Sequence, residues 1–164
     1  MQLSWQGQNL VIKSKTFSVV FATDTLKIND YVITDPGEYE VCGVSVKHVD
    51  GRYLFHIENL PLAFVPSLTN GNSISSEEID ELSSTDVLIM QLNDIDEKTQ
   101  KQMSELVSKI DPKCLIVVCH SDTCSQIIAK EYNIEPVSDF KLTGSDLPEE
   151  GRNTILMKCS KSDS

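Results

Sequence analysis

The sequence predicts one α/β domain, rich in β-strands in its first half and alternating between strands and helices in its second half. Up to Val65 the apolar residues form short runs divided by turn residues, which is typical of an antiparallel meander. From Ser76 onwards, segments with apolar residues at three-to-four spacing alternate with continuous apolar runs. A chain of 164 residues can bury one sizeable core without a metal or disulfide. We therefore expect one domain over residues 1–160 and a polar tail over 161–164.

The predicted strands of the first half lie at 3–5, 9–13, 17–21, 31–33, 40–41, 44–47, 53–57 and 62–65. Turn residues separate them, and Asp50-Gly51 between two alternating runs predicts a hairpin. In the second half we predict helices at 76–83, 97–109 and 122–131 and strands at 86–91, 114–119 and 154–158. The expected arrangement is a sandwich in which the first half contributes one sheet, the second half contributes the other, and the helices lie outside.

The charge balance excludes several classes of partner. The chain has 14 Lys and Arg against 25 Asp and Glu, a formal net charge of −11. Such a surface repels the phosphate backbone of nucleic acids and an anionic membrane surface. The longest apolar runs fall far short of the roughly 20 residues of a membrane helix, and the opening residues alternate like a strand. We predict a cytoplasmic protein that binds neither nucleic acid nor membrane.

The five cysteines predict buried thiols in a reducing compartment. They show no CxxC spacing, and three of them lie in apolar runs, where an isolated cysteine behaves as a small hydrophobe. They are Cys42, Cys114, Cys119, Cys124 and Cys159. A zinc or redox site is the less favoured interpretation.

One segment resembles a known family. Residues 31–44 read YVITDPGEYEVCGV, which is similar to the strand–turn–strand PGEYEVKGV of a branch of metallo-β-lactamase-fold proteins that includes lactonase-like hydrolases. The fold motif comprises Pro36, Gly37, Glu38, Tyr39 and Gly43. Three further segments resemble the family in the same order: SWQGQ at 4–8, DVLIM at 86–90 and IDPKCLIVVCH at 110–120. The resemblance implies a reduced αββα sandwich.

The chain departs from the family at the metal site. Active members carry an H-x-H-x-D-H loop before the PGEYE-like segment, a bridging Asp and further histidines. Here Phe21 is followed by ATDTLKIND, and Ser67 stands where the bridging Asp would be. A neutral hydroxyl is a poor substitute for an anionic bridging ligand. His120 matches a family ligand and His48 matches another less clearly, so the resemblance implies a vestigial pocket at His120, Ser67 and His48, with no metal, no cofactor and no catalytic residue.

The remaining residues offer little with which to rebuild a site. The three histidines, His48, His56 and His120, lie in separate predicted strands without the spacing that places two imidazoles on one metal. Cys119 and His120 point to opposite faces of a strand, which disfavours a Cys/His nucleophile. The acidic residues Asp94, Asp96 and Glu97 fit the start of a helix, with Asp96 as its N-cap.

These observations predict a non-catalytic pseudoenzyme that acts as a binding or assembly module. Exposed sheet edges would allow it to form a homo-oligomer. Two alternatives stay open. One is a cryptic metal-dependent hydrolase that uses His120, His48 and a carboxylate such as Asp24 or Asp35. The other is a small-ligand sensor that uses the vacated pocket.

Overall fold

The computed structural model describes residues 1–6, 9–22, 25–49, 52–65, 76–92 and 96–158. Two sheets face each other across a buried core. The first sheet has six strands in the order β12-β1-β2-β3-β4-β5, all paired antiparallel. Its strands are β1 (Gln2–Gln6), β2 (Asn9–Lys13), β3 (Ser18–Phe21), β4 (Leu26–Ile28), β5 (Tyr31–Ile33) and β12 (Asp139–Lys141).

The second sheet has seven strands in the order β13-β11-β10-β9-β8-β7-β6. Strands β6 to β9 pair antiparallel, whereas β9, β10, β11 and β13 run parallel. The strands are β6 (Gly37–Val41), β7 (Val44–Val49), β8 (Arg52–Ile57), β9 (Leu60–Val65), β10 (Val87–Leu92), β11 (Cys114–Cys119) and β13 (Asn153–Lys158). The hairpin expected at Asp50-Gly51 joins β7 to β8 with Val49 opposite Arg52, but those two turn residues lie outside the described ranges.

The expected division of the two halves between the two sheets is wrong. The chain leaves the first sheet after β5 and builds β6 to β9 into the second sheet. The burial pattern explains why. Strand β7 alternates buried and accessible residues, but β9 is buried at five of its six positions, as a strand must be when sheet and helices cover both of its faces. Strand β9 therefore fits beside the parallel β10.

Three helices pack on the second sheet: α1 (Ser76–Leu82), α2 (Glu97–Ile110) and α3 (Asp122–Tyr132). Helix α2 begins at the predicted N-cap, where the Asp96 side chain accepts a hydrogen bond from the Thr99 amide at 2.8 Å. It ends at Asp111, which adopts a left-handed conformation just before Pro112.

The core has two layers. One fills the space between the sheets and the other fills the space between the second sheet and the helices. Because all three described helices belong to the second layer, the sandwich is reduced to two sheets and one helical layer within the described ranges. None of the helices in that part of the chain is long and apolar enough to cross a membrane.

Candidate functional site

The carboxyl ends of β9, β10 and β11 meet at one edge of the second sheet, where open α/β sheets most often bind ligands. His120 directly follows β11, and its amide donates to the Leu92 carbonyl at 3.1 Å. His120 thus lies at this edge of the sheet, directly after its strand. Residues 66–75 and 93–95, which follow β9 and β10 and include Ser67 and Asp94, lie outside the described ranges.

The His120 ring packs against Trp5 of the first sheet. The two ring centroids are 4.9 Å apart and the planes are nearly perpendicular, at 80°. Trp5 is fully buried, and its Nε1 has no hydrogen-bond partner among the described residues. Desolvation lowers the pKa of His120 although the residue is partly accessible, so the neutral ring is favoured. His120 is therefore held by an aromatic contact between the two sheets.

Cys119, the preceding residue, faces the other way. It is buried in the helical layer, and a hydrogen bond with Cys124 together with burial raises its pKa. A thiol with a raised pKa supplies little thiolate, and the imidazole next in sequence lies on the opposite face. The geometry therefore agrees with the sequence argument against a Cys/His nucleophile.

His48 lies on β7 and its ring is engaged on two sides. Nδ1 lies 3.0 Å from the Asp35 carbonyl oxygen, and the ring stacks on Tyr53 with centroids 4.4 Å apart and an interplanar angle of 14°. The residue is buried. Because Asp35 directly precedes Pro36 and β6, the last strand of the sheet, His48 is engaged at the edge of the sheet opposite β13.

The structure does not bring His48 and His120 together. The register passes from His48 through Tyr53, Phe64 and Ile89 to Ile116, which is four strand spacings, or about 19 Å. His120 lies four residues further along β11, about 13 Å more, so the two Cα atoms are roughly 23 Å apart. Two imidazoles on one metal at about 2.0–2.1 Å each cannot span that distance. His48 and His120, which were expected to share a vestigial pocket, therefore do not lie together.

Aromatic side chains fill the space between the sheets beside His48. Phe21, the last residue of β3, packs on Phe64, Phe55 and Tyr53 with centroid distances of 4.0, 5.3 and 6.1 Å. All four rings are buried. Phe21 is the last residue of β3, so apolar packing between the sheets extends up to the end of that strand.

The part of the chain that the structure describes does not assemble a metal centre. Within the described ranges, no three His, Cys, Asp or Glu residues converge to hold a metal ion. Of the acidic residues considered above, Asp96 caps α2, while Asp24 and Asp94 lie outside those ranges. The four described cysteines, Cys42, Cys114, Cys119 and Cys124, form no disulfide with one another, and Cys159 lies outside the described part of the chain.

The PGEYE-like segment forms β6 and the turn into β7. Pro36 precedes the strand, and Cys42 and Gly43 form a two-residue turn in which both have positive φ, 53° and 81°. Tyr39 is half-buried, and its hydroxyl donates to the Asp35 carbonyl at 2.8 Å. Glu38 and Glu40 alternate with Tyr39 and are exposed. The motif thus builds the edge of the second sheet.

Sequence reasoning missed an open groove of about 770 Å³ beside that edge. Residues of β6, β7 and β8 that point away from the space between the sheets line it. The groove therefore lies on the outer face of the second sheet, in a part that α1 and α2 leave uncovered. The groove includes Glu38, Glu40, Ser45, Lys47, Leu54, His56, Ser84 and Thr85. Alternation of polar with apolar residues in β7 and β8 signals a solvated face, but no sequence pattern shows that the helices stop short of it.

The two facing sheets and their strand order define a metallo-β-lactamase-like α/β fold. A solved structure with this architecture is that of a proposed Zn-dependent hydrolase of the metallo-β-lactamase superfamily from Thermotoga maritima. It matches with a TM-score of 0.65 and 17% sequence identity, over 96% of this chain and 99% of that one. At that identity the likeness establishes the fold. No family model and no curated protein matches the sequence.

Proposed function

We propose that the chain is a non-catalytic protein of the metallo-β-lactamase fold that acts as a binding or assembly module. The observation that carries the proposal is the separation of His48 and His120 by roughly 23 Å, with His48 engaged by Asp35 and Tyr53. The packing of Phe21 on Phe55 and Phe64 adds support, because buried aromatic rings occupy the space between the sheets beside His48. The lactonase-like branch is proposed as the origin on the Pro36–Gly43 resemblance alone.

The rival hydrolase built on His120, His48 and a carboxylate is disfavoured by the same distance. A catalytic metal needs three protein donors around one point with an open position for water. His120 has Trp5 as its neighbour, and an indole offers no lone pair to a metal. Of the segments that follow β3, β9 and β10 outside the described ranges, 23–24 contains Asp24 and 93–95 contains Asp94, whereas 66–75 contains no carboxylate.

Metal analysis of untagged protein tests the proposal. The protein is expressed with added zinc, manganese and iron, purified without chelator, and assayed by plasma mass spectrometry alongside its His120→Ala variant. We expect far less than one metal per chain in both, and no hydrolysis of a panel of lactones and phosphodiesters with metal supplied. A stoichiometric metal that is lost in the His120→Ala variant would show that the chain is a metalloprotein.

Self-association is proposed as part of the assembly role. The first sheet ends at β5, where Tyr31 and Val32 are 50% and 53% exposed. Sedimentation velocity over a hundredfold range of concentration tests this, with Val32→Lys as the disrupting variant. A monomer at every concentration would remove the homo-oligomer and leave a module for other partners.

A further inference from the structure

We propose that β6 and the adjoining groove bind an extended segment of a partner protein in which basic and apolar residues alternate. The inference rests on the proposed binding function and names the class of partner. Strand β6 is the last strand of the second sheet and pairs on one side with β7. Its outer side has no partner strand among the described residues. Its five residues extend about 17 Å, enough to pair with a short added strand.

The two faces of β6 call for different side chains in the partner. Glu38 and Glu40 point to the groove face, opposite Lys47 and Ser45 of β7. On the other face Tyr39 and Val41 are half-buried, and the Tyr31 ring lies 6.3 Å from the Tyr39 ring. Because side chains alternate along a strand, an added strand would place every second residue beside the glutamates and the others beside Tyr31 and Tyr39.

The groove face carries unbalanced negative charge. The Lys47 ammonium is already paired with the Glu81 carboxylate at 2.8 Å. Glu81, and to a smaller extent the charge of Glu38 on the neighbouring strand, raises the pKa of that ammonium. Neither Glu38 nor Glu40, however, comes within ion-pair distance of another described residue. The two carboxylates next to the open edge therefore favour Lys or Arg at alternate positions of the partner.

The same glutamates disfavour a second copy of this chain as the occupant. Two copies of β6 can extend one sheet antiparallel only about a two-fold axis perpendicular to it, which keeps the groove faces on the same side. A register centred on Tyr39 places Glu38 opposite Glu40 of the other copy, twice. A register centred on Glu38 places the Glu38 residues of the two copies opposite each other, and a register centred on Glu40 does the same for Glu40. Like charges directly opposite each other are destabilising, so β6 is protected from pairing with itself.

Binding of a synthetic peptide tests the inference. The probe is acetyl-Gly-Lys-Val-Lys-Val-Lys-Gly-amide with a fluorescent label, and the comparison peptides replace the three lysines by serine or by glutamate. We expect saturable binding of the lysine peptide, at least tenfold weaker binding of the serine peptide and none of the glutamate peptide. Absence of saturable binding of the lysine peptide up to about 1 mM, the weak end of specific recognition, would overturn the proposal.

Backbone pairing is separated from simple charge attraction by methylated peptides. Two versions of the lysine peptide carry N-methyl groups on alternate backbone amides, one version for each edge of the extended peptide. Both keep every charge, but the version methylated on the edge that faces β6 cannot donate hydrogen bonds to it. We expect that version to bind at least tenfold more weakly. Equal binding of both versions and the parent would mean that the groove attracts cations without adding a strand.

The protein variants use a matched control. Glu38→Lys/Glu40→Lys should weaken the lysine peptide at least tenfold and gain binding to the glutamate peptide. Glu149→Lys/Glu150→Lys makes the same charge change at exposed residues of a distant loop and should leave binding within about twofold. Equal losses of peptide binding in both double variants would mean that the effect arises from net charge alone. Should the first variant not fold, peptide-induced amide shifts in the wild-type protein must cluster on 37–41 and the groove, and shifts elsewhere would refute the site.

Failure of this inference is distinguishable from failure of the proposed function. If the protein is free of metal, inactive and binds none of the peptides, the non-catalytic assignment stands and this class of partner is ruled out. A stoichiometric metal in the untagged protein removes the non-catalytic assignment whatever the peptides do. A dimer in which the outward-facing backbone amides of β6 become protected from hydrogen exchange would identify a second copy as the occupant of β6 and refute the peptide.

Discussion

Replacing Phe21 by alanine should cost the protein much of its stability. Phe21 is 1% exposed, and its ring packs on Phe64, Phe55 and Tyr53 between the two sheets. Truncating a buried phenylalanine costs about 3–5 kcal/mol through lost transfer energy and an unfilled cavity. That measured range already includes the lost contacts between aromatic rings, so we place the expected loss near its middle, at about 4 kcal/mol.

The measurement is urea unfolding at 25 °C, followed by fluorescence and by circular dichroism. A loss of about 4 kcal/mol lowers the melting temperature of a chain of this size by about 8–16 °C. Phe21→Leu refills part of the space and should cost about 1.5 kcal/mol. Tyr31→Ala is the control, because that ring is 50% exposed and should cost about 0.5 kcal/mol.

The result bears on function as well as stability. A loss below about 2 kcal/mol with an unchanged m-value would show that the space between the sheets tolerates the missing ring. The packing account would then be wrong. The small-ligand sensor would gain support, because an interior that adapts in this way could also accept a ligand.

Further predictions concern His120, the cysteines, α2 and the number of domains. In NMR titration the pKa of His120 should lie below its usual value of about 6.5. The folded state then binds fewer protons than the unfolded state, so the contribution of His120 to stability should fall as the pH is lowered through about 6.5, and His120→Gln should remove that dependence. Cys42 is exposed and should react with a thiol reagent in native protein, whereas burial raises the pKa of Cys114 to about 11 and should keep it unreactive until unfolding. Asp96→Ala removes the N-cap of α2 and should cost about 1 kcal/mol, with Asp96→Asn recovering most of it. Residues 1–160 should unfold in a single transition, and two well-separated transitions in urea would contradict one domain.

Much of the element order could be predicted from the sequence because periodicity is a local property. The helices at 97–109 and 122–131 were predicted within one residue of α2 and α3 at each end, since caps and apolar spacing act within a few residues. The missed strands are short. Leu26–Ile28 and Asp139–Lys141 have three residues each, too few for an alternation to be distinguished from chance, and both are held by pairing with distant strands.

The grouping of strands into sheets and of residues into a site could not be predicted in the same way. Each depends on contacts between residues far apart in sequence, and the family resemblance supplied the only evidence for them. It matched His120, which directly follows β11, to a family ligand. It also grouped His48 with His120, because resemblance assigns residues to positions without showing that the strands between them still bring those positions together. Strand order and register separate the two.

The PGEYE-like segment owes its role to the place where the chain changes sheets. Strand β5 ends the first sheet and β6 ends the second, and only 34–36 join them, so both unpaired edges lie on the same side of the sandwich. Tyr31 and Tyr39 meet there, and Glu38 and Glu40 face the groove. Among the described residues, this edge combines unpaired backbone, accessible aromatic rings and unbalanced charge. Such edges are avoided unless they are guarded or used. The glutamates disfavour pairing of β6 with its own copy but favour pairing with a basic strand. This edge is therefore the surface on which a partner should first be sought.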